Sequence, residues 1–229
     1  MHQTSSVMRH VRVWDLPTRL FHWSLALAVI SAVVTAKVGG NAIDWHFRLG
    51  YLIGTLLLFR LLWGVMGGRW SRFMNFLHSP VTLWRYLRGQ VGPHEHLEVG
   101  HSPLGSLSVL ALLGLLLIQV GSGLVADDEI ANTGPLARFV AGATSLAATS
   151  WHRTGGQWIL LGLTGLHLAA IAFYRLRRGK DLLRPMLTGD KLLPADVPAS
   201  TDGPRNWLLA LLMLALSGAV VGWLVSLGE

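Results

Sequence analysis

Cysteine is absent from the 229 residues. Its absence excludes disulfides, iron–sulfur clusters, thiolate-ligated haem and covalent haem attachment through a C-x-x-C-H motif. Charge is also scarce. Charged residues make up 14% of the chain, against 52% hydrophobic residues and a mean hydropathy of +0.47, where a soluble domain carries about a quarter charged residues. The shortfall falls in five segments, roughly Leu20 to Val38, Phe47 to Met66, Leu104 to Val125, Trp158 to Tyr174 and Trp207 to Leu227. Each approaches the ~20 residues that cross bilayer hydrocarbon. The first is too long for a signal-peptide core and ends at Lys37 and glycines with no cleavage site, so it reads as a retained helix.

Acidic residues are outnumbered 12 to 19 by Lys and Arg, for a net charge of +7, but the distribution argues against nucleic acid as a partner. Most of the basic residues lie before the first segment, between the second and third, or between the fourth and fifth. If all five segments span, these regions share one side, while Asp127, Asp128 and Glu129 cluster on the other. The positive-inside bias then predicts a cytoplasmic N-terminus and a periplasmic C-terminus, in a multi-pass protein of the bacterial inner membrane.

Four histidines sit near the ends of these segments. His152 and His167 are fifteen residues apart in WHRTGGQWILLGLTGLH, about 22 Å along a single helix, so the spacing predicts one spanning helix with an imidazole near each face. On that helix the two rings lie about 60° apart around the axis. His22 lies at the inner end of the first segment and His46 at the outer end of the second. Two cross-helix pairs result at matching depths, His22/His167 inner and His46/His152 outer, which are axial-ligand candidates for two six-coordinate haem irons. Taken singly, each histidine could merely sit at the water interface. Two-histidine ligation fills both axial positions and suits outer-sphere electron transfer.

Arg60 lies deep in the second segment, where an arginine needs a partner. A haem propionate suits its fork, and snorkelling to headgroups is the alternative. Arg153 could pair an outer propionate or cap the interface, and Arg19 joins the candidate cofactor-binding set. Gln119 is the strongly polar side chain of the third segment, expected to bond across a helix interface. Between the second and third segments, VTLWRYLRG reads as a short interfacial helix, and His78, His94, His96 and His101 are assigned no chemistry. Residues 192–205 read as a proline-rich cytoplasmic linker between a membrane domain over 1–191 and an added helix over 206–229.

The run RVWDLPTRLFHW, the stretch from His46 through Gly50 and Tyr51 to Arg60, Trp63 and Gly64, HSPLG at 101–105, the His152/His167 segment, and LLRPMLTGDK at 182–191 together resemble the bacterial cytochrome b561 family, which includes the b-type cytochrome subunits of membrane nickel–iron hydrogenases. The resemblance implies an all-α membrane protein: a four-helix transmembrane bundle holding two b haems, here with a fifth C-terminal transmembrane helix. It implies the same two ligand pairs, with electron exchange with quinone and with a periplasmic partner. Three functions follow. The first is a di-haem cytochrome working between the quinone pool and a periplasmic c-type cytochrome or a small oxidant or reductant. The second is a haem b anchor subunit of a periplasmic hydrogenase or dehydrogenase. The third is a haem-free transporter with a histidine proton relay. No constellation locates the quinone, and the glycine-rich helices allow a homodimer.

Overall fold

The computed structural model describes residues 7–228 apart from 93, 94 and 96, so His94 and His96 lie outside the described residues. Helices dominate: α1 (Leu16–Val38), α2 (Ile43–Met66), the short α3 (Pro80–Leu87), α4 (Pro103–Leu124), α5 (Gly142–Arg153), α6 (Gly155–Arg178), the short α7 (Leu183–Thr188) and α8 (Pro204–Ser226). Five stretches are long and apolar enough to cross a membrane, with α5 and α6 together forming the fourth. Their outward faces carry bare apolar side chains, such as Leu27, Ile30, Val65 and Leu211. That is the surface a multi-pass membrane protein presents to lipid.

Local sequence explains where the helices begin. Asp15 caps α1 by accepting from Thr18 N at 2.8 Å, with Pro17 in the first turn, where a missing N–H costs little. Ser79 and Ser102 cap α3 and α4 in the same way, each followed by a proline. The expected interfacial helix is α3, with Trp84 and Leu87 exposed and the Arg88 guanidinium 4.4 Å from the Trp84 ring.

The expected single helix through His152 and His167 is broken. Thr154, at φ −121° and ψ −87°, ends α5 and starts α6, so His152 lies in the last turn of one helix and His167 within the next. Two contiguous glycines, Gly155 and Gly156, follow the break, and glycine is a weak helix former. Gly156 leaves no room for a side chain: a Cβ there would fall 2.1 Å from Gln119 Oε1. Residues at the break therefore answer to the packing of α4 rather than to helix continuity.

The bundle is asymmetric. Helix α2 is its centre, packing on α1, α4 and α8, while α4 packs on α5 and α6. Gly54 sits where α2 meets two neighbours, since a Cβ there would touch Val120 of α4 at 3.4 Å and Val221 of α8 at 3.9 Å. Ala210, Met213 and Ser217 of α8 are buried against this centre, a small-residue seam of the kind that joins helices in lipid. By contrast, α1 and α6 face each other with little close backbone contact.

The basic loops fold into a cap at one end. Strands β1 (Met8–Arg12) and β2 (Asp190–Pro194) pair antiparallel, a sheet with no counterpart in the sequence reading. Its pairing is non-local, and only the buried neighbours make strands of these segments. Val11, Val13, Trp14, Val99 and Val197 form a second small core beneath it. The structure folds the 192–205 stretch into this cap: Ser200 Oγ donates to Val13 O at 2.9 Å, Trp70 Nε1 donates to Pro198 O at 2.9 Å, and Asp202 pairs with Arg12 at 3.1 Å.

Asp15 ties the cap to the helices. Its side chain is fully buried and accepts from Thr18 N and Trp63 Nε1 through Oδ1, and from Gly68 N and Ser71 Oγ through Oδ2. Asp15→Ala removes a helix cap and orphans three further buried donors. It should cost roughly 2–4 kcal/mol, read as a lowered unfolding midpoint in detergent; Asp15→Asn, which keeps one acceptor oxygen, should lose less.

Candidate functional site

The two histidine pairs fall at opposite ends of the bundle. At the end away from the basic cap, the rings of His46 on α2 and His152 on α5 lie 5.8 Å apart, centroid to centroid, at 78° to each other. His46 Nδ1 is 2.9 Å from Ala32 O of α1, and His152 Nδ1 is 2.8 Å from Gln119 O of α4. A carbonyl only accepts, so both imidazoles carry their proton on Nδ1 and keep the Nε2 lone pair available. Metal-binding histidines are oriented in this way. A central metal with bonds of ~2 Å to two imidazoles separates their centroids by about 6 Å, close to the spacing here.

Helix α4 holds His152 by its backbone and side chain together. Gln119 bonds across the interface as expected of it, its Nε2 donating to His152 O at 2.7 Å. Gly123 gives the ring its space, since a Cβ there would lie 2.8 Å from His152 Cε1. The signal for Gly123 was the Gly121-Ser122-Gly123 run ending an otherwise leucine-rich helix, legible as close packing but silent about which ring it admits.

At the capped end, His22 of α1 and His167 of α6 are within electrostatic range of each other. They stand across the interhelical gap where α1 and α6 scarcely touch. His22 Nδ1 is enclosed and has no hydrogen-bond partner. Among the described residues no three of His, Cys, Asp or Glu gather around a common point, so each end offers two donors rather than a closed ion cage.

The three arginines differ. Arg60 is 3% exposed and does not snorkel: its Nη2 donates to Ser71 O at 3.0 Å, its guanidinium lies over the Phe73 ring at 4.8 Å, and its Nη1 is buried without a partner. Arg19 donates from Nη1 to Leu187 O at 2.6 Å, with Nε enclosed and unpartnered. Arg153 is exposed at the opposite end, lining a cleft with Asp127 and Asp128.

His101, assigned no chemistry by sequence, belongs to the capped end. It lies 4.7 Å from both the Trp14 and Phe76 rings. Burial first, then the nearby charges of Arg60 and Lys191, push its pKa down to about 3, so the ring is neutral. A loop position before a serine cap gave no sign of this, because the cap that encloses it is assembled from residues distant in sequence.

Gly123→Ala should push the His152 ring out of place while leaving His22 and His167 undisturbed. The expected outcome is a lowered haem content of the purified protein, checked by haem quantification against the parent.

The model of the prokaryotic cytochrome b561 family matches residues 13–189. Among curated relatives, the chain is 25% identical over 221 residues to a probable Ni/Fe-hydrogenase B-type cytochrome subunit of Azotobacter chroococcum, covering 82% of this chain and 91% of that protein. It is 24% identical over 195 residues to the probable Ni/Fe-hydrogenase 1 B-type cytochrome subunit of Escherichia coli K12, covering 69% of this chain and 80% of that one. A counterpart in Bradyrhizobium diazoefficiens is 23% identical, covering 79% and 85%. No solved structure matches the chain significantly. The matched region runs from the strand-to-helix entry before His22 to the end of α7 and holds all four paired histidines, and the chain belongs to the prokaryotic cytochrome b561 family.

Proposed function

We propose that this chain is the haem b membrane subunit of a periplasmic oxidoreductase of the hydrogenase kind, carrying single electrons between that partner and the quinone pool. The observation that carries the reading is the outer pair: two facing imidazoles, each with Nδ1 held by a backbone carbonyl. The names of the relatives support a subunit role. Membership of a cytochrome family supports redox work over a haem-free transporter with a histidine relay.

In this reading His46 and His152 hold one haem, and His22 and His167 the other. The bound iron supplies a reversible one-electron couple, and the protein sets its surroundings. A haem held by two histidines at each end would be closed to oxygen and suited to outer-sphere electron transfer. Ala32 O and Gln119 O fix the outer rings, so little reorganisation is needed when charge changes. Arg60, enclosed and with one arm free, offers a counter-charge to a propionate at the inner end; Arg19 lies at the same end and Arg153 at the other. The basic cap faces the cytoplasm by the positive-inside bias, with the N-terminus inside and the C-terminus outside.

Purified parent protein should show two b-type haems in a reduced-minus-oxidised spectrum. His46→Ala and His167→Ala should each remove about one of them, from different spectral components. A colourless parent produced with ample haem would sink the proposal. Affinity purification from native membranes separates the two electron-transfer roles. A periplasmic oxidoreductase retained at fixed stoichiometry supports the subunit role, whereas a chain that purifies alone and passes electrons from quinol to a soluble c-type cytochrome supports the independent carrier.

A further inference from the structure

We propose that His101 and Arg60 together seat one carboxylate of the inner haem, His101 through a ring N–H and Arg60 through its guanidinium. The inference rests on the di-haem reading and adds a cofactor-binding residue to it.

The first observation is a pair of buried polar atoms with nothing to bond. Arg60 Nη1 and His101 Nδ1 are both enclosed and without hydrogen-bond partners. Native proteins rarely leave such groups unmet, and each exception asks for an explanation. Two of the nearby acceptors are taken. Ser71 O already receives the other arm of Arg60. The nearby carboxylate, Asp15, has both oxygens engaged by four donors.

The second observation is that the two groups sit together and are held in place. Phe76, 2% exposed, lies 4.7 Å from the His101 ring and 6.0 Å from the Arg60 guanidinium. Trp14, 4% exposed, closes the other side of His101 at 4.7 Å. Two aromatic rings therefore flank the imidazole and hold it in place.

The third is the local charge. Arg60, Lys191, His22 and His167 act electrostatically on His101, and the carboxylate of Asp15 is already engaged by its four donors. A buried guanidinium arm and an imidazole nitrogen, both unmet and both near Phe76, are matched to an anion. Its proximity to His22 and His167 identifies the anion as a carboxylate on the edge of the inner haem. Two donors on that carboxylate lessen its electron-releasing push on the iron, which favours the reduced state.

Spectroelectrochemical titration of the purified parent, His101→Phe and His101→Gln tests this. Phe fills the space between Trp14 and Phe76 but donates nothing; Gln restores an N–H. The expected result in His101→Phe is an inner haem whose ferric-to-ferrous ratio at a fixed potential rises about tenfold, a fall of ~59 mV for a one-electron couple. The outer haem should stay at the parent value, and His101→Gln should recover most of the shift. Retention of the inner haem by Gln with its loss from Phe also supports the proposal. Unchanged inner potential in His101→Phe with both haems bound, equal shifts at both haems, or loss of the inner haem from both variants would overturn it and leave the di-haem reading intact. A parent without haem would remove both.

Discussion

A single buried carboxylate sets the geometry of the capped end. Asp15 is reached by four donors from three places: the first turn of α1, the indole of Trp63 in the last turn of α2, and the backbone and side chain of the loop beyond it. A buried charge is tolerated only when its lone pairs are satisfied, and here every donor that satisfies it also locks an element. With the start of α1 and the end of α2 fixed to each other, His22, two turns into α1, and Arg60, two turns back from the end of α2, are brought to neighbouring depths. The Thr18 to Ser71 hydroxyl contact at 2.7 Å and the Arg60 bond to Ser71 O extend the same network.

The far end is held on a different principle. No buried charge organises it; instead main-chain carbonyls of α1 and α4 take the ring protons of His46 and His152. A helix carbonyl is normally committed to its own i+4 amide and has a second lone pair to spare. Ala32 O also accepts from Thr35 Oγ1, and Gln119 O from Ser122 Oγ. The outer imidazoles are thus oriented before any metal is considered, whereas the inner end keeps unmet donors at His22, Arg60 and His101. The ends differ: the outer pair has its orienting acceptors, while the capped end keeps buried polar atoms without partners.

The sequence made much of this legible, and the exceptions share a cause. Apolar runs located all five spans, because burial in lipid demands an unbroken stretch of side chains and leaves a mark at every position. The run VTLWRYLRG marked the short helix α3. Counting residues along one helix from His152 to His167 did not reveal the break at Thr154. The β1–β2 sheet, the packing of residues 192–205 and the enclosure of His101 were not legible, since each depends on segments that meet only after the helices have assembled. Gln119 shows the boundary well. An amide in an apolar helix predicts a bond across an interface, yet nothing in the sequence says that its backbone carbonyl would orient a histidine 33 residues away.

The break at Thr154 resolves a geometric difficulty that a straight helix would impose. On one continuous helix, His152 and His167 leave the axis about 60° apart, and any adjustment that aims one ring rotates the other. Dividing the span separates the two demands. Helix α5 answers to α4, through the Gln119 clamp and the bond from Ser145 Oγ to Val125 O at 2.6 Å, while α6 carries His167 into the gap facing α1. Gly156 lets α6 begin directly against Gln119, where any side chain would collide. The same residue of α4 therefore positions both halves of the broken span. Each histidine can then be aimed by its own contacts, the outer by hydrogen bonds to carbonyls and the inner by the position of α6 across from α1, while both remain on one stretch of chain that crosses the membrane once.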